Sequence, residues 1–280
     1  MREVAAKRIT EEVARLVQEA NFDLGDDVID SFKAFYETEE SDAGKEILQI
    51  LLDNAEIARD ERVPMCQDTG TAVIFLELGQ DVHVVGGSLV DAINEGVRQG
   101  YTEGYLRKSM VDHPLKRVNT GDNTPAVIHT DVVPGDKIRL TVVPKGGGAE
   151  NMSGVKMLKP ADGYDGVVDF VVEAVRRAGP NPCPPVVVGV GIGGTFEKAA
   201  QIAKRALLRP IGEESPIEDI AELEKRILKE VNNLGIGPQG LGGRTTALAV
   251  NIEIYPCHIA SLPVAVNLNC HSTRHKEVII

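Results

Sequence analysis

The chain has 280 residues and a net charge of −12, with 30 Lys and Arg set against 42 Asp and Glu, no Trp, six Phe and five Tyr. This length holds one large domain or two modest ones with ample core, and an acidic balance without any basic stripe argues against a nucleic-acid partner. No run is long and apolar enough to span a membrane, and Met1-Arg2-Glu3-Val4 lacks the apolar segment of a signal peptide, so a soluble cytoplasmic protein with reduced thiols is expected.

Residues 3 to 60 carry helical periodicity in three stripes. These are Ile9, Val13, Leu16, Val17 and Ala20, then Val28, Ile29, Phe32, Phe35 and Tyr36, then Ile47, Ile50, Leu51, Ala55 and Ala58. Asp26 and Ser41 or Asp42 are candidate caps between them. From Thr71 the period changes. Val73 to Leu78 and Val82 to Val85 read as strands, and Ser88-Leu89-Val90-Asp91 opens a helix through Val97. Residues 104 to 125 have no clear period and form a long loop bearing Arg107, Lys108, His113, Lys116 and Arg117. Ala126 to Val132 and Lys137 to Val143 alternate around Pro134-Gly135-Asp136, which predicts a hairpin. Further on, helices are expected over 167–178, 196–208 and from Ser215-Pro216-Ile217-Glu218 to Val231, with Pro216 at the first helical position. Val186 to Ile192, Thr246 to Ile254 and Leu262 to Val266 read as strands. The predicted fold is α+β (mixed α/β): a single domain over 1–280, with an N-terminal helical layer (1–60) followed by a mixed sheet with packed helices (61–280).

The chemistry-bearing residues stand outside these elements. Pro64-Met65-Cys66-Gln67-Asp68-Thr69-Gly70 fixes a thiol beside a carboxylate in a tight turn, closed by a glycine able to take a positive φ. Cys183, within Asn181-Pro182-Cys183-Pro184-Pro185, and Cys270, within Asn267-Leu268-Asn269-Cys270-His271-Ser272, also sit in turns beside strands. Their spacing is too long for a zinc CxxC pattern. It suits either a site assembled by the fold, such as a cubane with one iron left open, or three unrelated thiols. Cys257 is the expected non-ligand. His258 and His271 flank Cys270, and His258, twelve residues before it, is a candidate for proton transfer. Gly189 to Gly194 matches GxGxxG formally, but no acidic residue ends a following strand as a dinucleotide site requires. Lys145-Gly146-Gly147-Gly148 allows close backbone approach to a ligand carboxylate, or is a surface turn.

Four segments together carry a resemblance along nearly the whole chain. They are Cys66-Gln67-Asp68-Thr69-Gly70-Thr71-Ala72, Lys145 to Asn151, Gly191-Ile192-Gly193-Gly194-Thr195, and Leu268 to Ser272 with Arg274-His275. The sequence resembles the α subunit of class I, iron–sulfur-dependent fumarate hydratases, in the two-subunit form. That resemblance implies a 4Fe-4S cluster bound by Cys66, Cys183 and Cys270, and contacts to a small dicarboxylate by Gln67, Asp68, Gly147 and an arginine at Arg107 or Arg117. It implies His258 supporting Asp68 in proton relay, homodimeric α contacts, and a separate β subunit supplying the remaining catalytic groups. L(+)-tartrate dehydratase α subunits share the motifs. A nicotinamide-dependent oxidoreductase built on Gly189 to Gly194 and a non-catalytic subunit holding structural zinc are the readings from other classes.

Overall fold

The computed structural model describes all 280 residues, and its elements follow the apolar patterning. In chain order they are β1 (Arg2–Ala5), α1 (Ala6–Phe22), α2 (Asp26–Thr38), α3 (Asp42–Glu61), β2 (Thr71–Gly79), β3 (Val82–Val85), α4 (Leu89–Glu103), β4 (Val127–Val133), β5 (Ile138–Lys145), the one-turn α5 (Gly147–Glu150), β6 (Gly154–Leu158), α6 (Gly163–Ala178), β7 (Val186–Gly193), α7 (Phe196–Ala206), α8 (Glu218–Asn232), β8 (Ala247–Tyr255), β9 (Leu262–Asn269) and β10 (Lys276–Ile279). The α+β class is as expected. No helix is long and apolar enough to cross a membrane.

The chain parts into two compact units, Met1–Leu24 with Asn54–Gly147 and Arg274–Ile280, and Gly25–Asp53 with Gly148–Thr273. The three expected N-terminal helices are present, but they do not form a layer of their own. In the first unit α1 packs on α4 and β5, whereas α2 packs on β8 in the second. The reason lies in their stripes: Ile9, Val13, Leu16 and Val17 on α1 are fully buried against Ile93 and Val97 of α4 and Leu140 of β5. Each such side chain contributes about 1.5–3 kcal/mol on leaving water, so the partner a stripe meets decides its place. Ser41 caps α3, its Oγ accepting from Gly44 N at 3.1 Å, while Asp26 is helical rather than a cap.

The first unit is built on a four-stranded sheet in the order β10-β5-β2-β4. The expected hairpin between β4 and β5 does not form. β2 lies between them, parallel to β4 and antiparallel to β5, and the turn at Gly135 wraps the end of β2 through Asp81 N to Gly135 O at 2.9 Å. β2 is buried along most of its length and so takes a central position, whereas β4 alternates with exposed residues and takes the edge.

In the second unit the order is β6-β9-β7-β8, with β7 parallel to β8 and antiparallel to β9. Strand alternation accounts for the glycine spacing at 189–194. Val188 and Val190 enter the core with α6 and α8, while a Cβ at Gly189 or Gly191 would lie 2.1 Å from the carbonyl of Ala203 or Ala199 on α7. These glycines let a helix sit on a strand. Helix α8 starts at Glu218, so Pro216 precedes it instead of occupying its first position.

Candidate functional site: three cysteine turns

In the first unit the Cys66 turn leaves α3 and enters β2. Met65 is anchored on both sides, its N–H donating to Asn21 O at 3.1 Å and its carbonyl accepting from Asn54 Nδ2 at 2.9 Å. Cys66 Sγ then accepts the Asp68 N–H at 3.4 Å. The Asp68 carboxylate is gripped at both oxygens, Oδ1 accepting from Gly70 N at 3.0 Å and Oδ2 from Gly147 N at 2.7 Å. Gly70 has φ +77°, and a Cβ there would lie 2.6 Å from Lys145 N, so glycine is required twice over.

Below the turn, Tyr101 is fully buried, its hydroxyl donating toward the carbonyls of Thr69 and Gly70 at 2.7 and 2.9 Å. Burial pushes its pKa well above the ordinary phenol value, so it stays a neutral donor. Asn123, also fully buried and left-handed at φ +64°, donates to Gly70 O at 3.1 Å and accepts from Ser109 N and Met110 N at 2.7 and 3.2 Å. It thereby ties the long 104–125 loop to the cysteine turn. The buried Arg274 donates through Nη2 to the Asp68 carbonyl.

Gly147 was expected to meet a substrate carboxylate, yet its N–H is given to Asp68. It positions the acid. Arg107 and Arg117 are separated by their anchorage. Thr69 Oγ1 donates to Arg107 O at 2.9 Å, which fixes Arg107 beside the turn, whereas Arg117 folds back on its own loop through Nη1 to Pro114 O at 3.3 Å. Gln67 is exposed and its Oε1 accepts from Cys66 Sγ at 3.4 Å.

The other two cysteine turns lie in the second unit. Cys183 is exposed, with the left-handed φ of +54°. Its carbonyl accepts the His271 N–H at 3.1 Å, so the loop before β7 and the turn after β9 meet at Cys183 and Cys270. Cys270 Sγ lies 3.2 Å from Ser272 Oγ. The antiparallel register, Val187 opposite Asn269, explains the meeting, because both turns fall at one end of the sheet.

His258 falls at the other end. The eight residues of β9 separate it from Cys270, and at ~3.3 Å per residue they span roughly 25 Å. Proximity to Cys270 along the sequence is therefore not proximity in the second unit. His258 Nδ1 accepts from Ala260 N at 3.1 Å at the rim of an apolar cleft of about 380 Å³ that Tyr164, Ile192, Leu223 and Cys257 also line. Cys257 Sγ points to Ser261 O at 3.3 Å.

None of the four cysteines forms a disulfide. No three or more His, Cys, Asp or Glu side chains form a set that could hold a metal ion. A cubane makes a different demand, since each thiolate binds a separate iron and hydrogen bonds to the sulfurs tune it. Taken singly, the Cys66 sulfur with its amide donor and the Cys270 sulfur with a hydroxyl beside it have the hydrogen bonds such a thiolate uses.

The profile of the family described as fumarate hydratase (Fumerase) matches residues 10–279. The chain belongs to that family. Among relatives of the fumarate hydratase family, it is 44% identical over 273 residues, 95% of each chain, to a Methanocaldococcus jannaschii protein provisionally named L(+)-tartrate dehydratase subunit alpha. It is 36% identical over 280 residues to the L(+)-tartrate dehydratase subunit alpha of Escherichia coli K12, covering 99% of this chain and 92% of that one. The corresponding protein of Escherichia coli O157:H7 is 37% identical over the same span. Fumarate hydratase and tartrate dehydratase both name hydro-lyases, and this chain is an enzyme chain of that class.

Proposed function

We propose that this chain is the α subunit of a 4Fe-4S hydro-lyase that reversibly hydrates fumarate to (S)-malate, with Cys66, Cys183 and Cys270 as cluster ligands. The observation that carries the reading is the Cys66 turn, where a thiol and a doubly anchored carboxylate are locked two residues apart. When bound, a cluster with one iron free of protein thiolate supplies a Lewis acid for the departing hydroxyl.

The chain's own residues supply the remainder. Asp68, held without freedom to rotate, exchanges a proton at the substrate or carries its charge. Arg107 and Gln67, both exposed beside it, orient the substrate carboxylates, with the arginine fork suited to two parallel hydrogen bonds. Gly147 acts through Asp68. His258 supports Asp68 in the proton relay, and homodimeric α contacts complete the assembly. A separate β subunit supplies further groups, residues 1–280 act as one catalytic domain, and a reducing cytoplasm suits four cysteines without a disulfide.

L(+)-tartrate is the second reading, favoured by the names of the relatives. A nicotinamide site has lost its support, because Gly189 and Gly191 serve strand–helix packing. The test is anaerobic co-purification with the β partner, iron and sulfide quantification, and initial rates with fumarate, malate and L(+)-tartrate. Iron with fumarate turnover supports the assignment, tartrate turnover alone moves it to the second reading, and zinc or no metal with no turnover overturns both.

A further inference from the structure

The glycine-rich segment 235–243 has no part in the account so far, although its backbone is unusual. Gly235, Gly237, Gln239, Gly240, Gly242 and Gly243 all have positive φ, and Gln239 is the one non-glycine among them, at +51°. A left-handed glutamine is costly compared with glycine, so its side chain has to repay the position. Gln239 N and Nε2 both donate to the Pro184 carbonyl, at 2.7 and 2.9 Å, immediately after Cys183. The same Nε2 lies 3.1 Å from His271 Nδ1, immediately after Cys270. The same Nδ1 lies 3.2 Å from the Cys183 carbonyl, so it accepts from Gln239 in one tautomer and donates to Cys183 in the other.

The segment is also pinned at its far end. Glu39, 3% exposed, accepts from Arg244 N at 2.9 Å, Thr245 N at 2.7 Å and Thr245 Oγ1 at 2.6 Å, as well as from Glu40 N and Ser41 N at 2.9 and 3.0 Å. Between the two anchors the segment lies directly on the Cys183 loop, where a Cβ at Gly240 would come 2.3 Å from Pro180 Cβ. One end is therefore fixed to a buried carboxylate, and the other reaches both cysteine turns through a single amide.

We propose that segment 235–246 is a clamp setting the relative position of the Cys183 and Cys270 thiols, with Gln239 as the positioning residue and Glu39 as its anchor. The clamp rests on the cluster assignment for its purpose, but not for its geometry. Gln239 touches neither sulfur, and it acts by fixing the carbonyl after one cysteine and the ring after the other. Without Gln239 the turns meet through His271 alone, whose N and Nδ1 both face Cys183 O at 3.1 and 3.2 Å, and Gln239 adds a tie from the carbonyl after Cys183 to the ring after Cys270.

The experiment compares wild type with Gln239→Met, which keeps the volume without the donor, and Gln239→His, which restores a donor at similar reach. Iodoacetamide labelling of the reduced, cluster-free α chain, read by peptide mapping, follows Cys183 and Cys270 separately from Cys66 and Cys257. Gln239→Met is expected to speed labelling of Cys183 and Cys270 by about fivefold, the size of one lost hydrogen bond, with Cys66 and Cys257 unmoved. In the anaerobically loaded complex the same variant is expected to release iron to a chelator ~10-fold faster, as when a supporting contact to a metal ligand is removed, and to alter the visible circular dichroism. Gln239→His should return both readouts toward wild type. Unchanged labelling of Cys183 and Cys270 in a folded Gln239→Met chain overturns the clamp, as does equal acceleration at all four cysteines. Absence of iron from wild type bears on the cluster assignment alone, since labelling still judges the clamp.

Discussion

The Cys66 turn and the Cys183–Cys270 pair hold their thiols by different means. At Cys66 the sequence is local: thiol, amide, carboxylate and glycine run consecutively, and the fold adds a buried floor of Tyr101 and Asn123. At Cys183 and Cys270 the turns come from loops 87 residues apart (270 − 183) and are joined by main-chain carbonyls and one glutamine amide. The first arrangement is suited to chemistry at a fixed carboxylate. The second is suited to holding two sulfurs at a set spacing. Removing a side chain from the first should therefore cost rate or stability, whereas loosening the second should cost retention of the cluster.

Among variants that keep all three thiols, the largest expected loss is at Asp68. Asp68→Asn keeps its size but loses the charge and the exchangeable proton, and kcat for hydration should fall by ~10²–10⁴-fold with iron content unchanged, as for loss of a positioned acid or base. An Asp68→Asn enzyme within threefold of wild type would move the proton chemistry elsewhere. His258→Asn should also lower kcat without loss of iron, by about 10–100-fold if the residue acts through Asp68. Mixing separately impaired Asp68→Asn and His258→Asn chains should raise the rate above that of either alone if the imidazole comes from a second copy, and no gain would confine both to one chain.

Asn123→Ala should destabilise by about 1–3 kcal/mol, because Ser109 N, Met110 N and Gly70 O lose a buried partner. Thermal unfolding would show a fall of several degrees, accompanied by proteolytic cleavage within 104–125. The last of these effects is pH-dependent and belongs to the second arrangement. Burial opposes ionisation of Glu39, but the Thr245 hydroxyl and the backbone N–H groups of Arg244, Ser41 and Thr245 outweigh it and hold its pKa at about 2 against 4.5. A depressed carboxyl stabilises the fold above its ordinary pKa, so this contribution is complete above about pH 4.5 and is lost as pH falls toward 2. Glu39→Gln should melt lower than wild type at neutral pH and lose less stability across that acid window. Parallel melting curves would contradict it.

Much of this was legible in the sequence, for identifiable reasons. Helical stripes such as Ile9-Val13-Leu16-Val17 declare themselves because one face must leave water, and Gly70 was legible from its place after Asp68-Thr69. The β4–β5 hairpin was misread because its turn signal is genuine, while the pairing is decided by β2, a more buried strand that claims both neighbours. Strands β6 and β10 are short and defined by partners far along the chain, so no local period marks them. Asn123 and Gln239 were missed because their work is done across long separations. Their one local trace is a polar residue in a turn-rich setting, Gly121-Asp122-Asn123-Thr124-Pro125 and Gly237-Pro238-Gln239-Gly240, where a left-handed conformation is accessible. His258 lay close to Cys270 in sequence, but an extended strand turns nearness along the chain into distance.

The central claim is that the thiols of residues 66, 183 and 270 hold one cluster, and iron and acid-labile sulfide per α chain, measured on the anaerobically purified complex, test it most directly. The account predicts a full cubane complement in wild type and in Cys257→Ser, with its loss in each of Cys66→Ser, Cys183→Ser and Cys270→Ser. Retention of iron, sulfide and turnover in Cys183→Ser would contradict it.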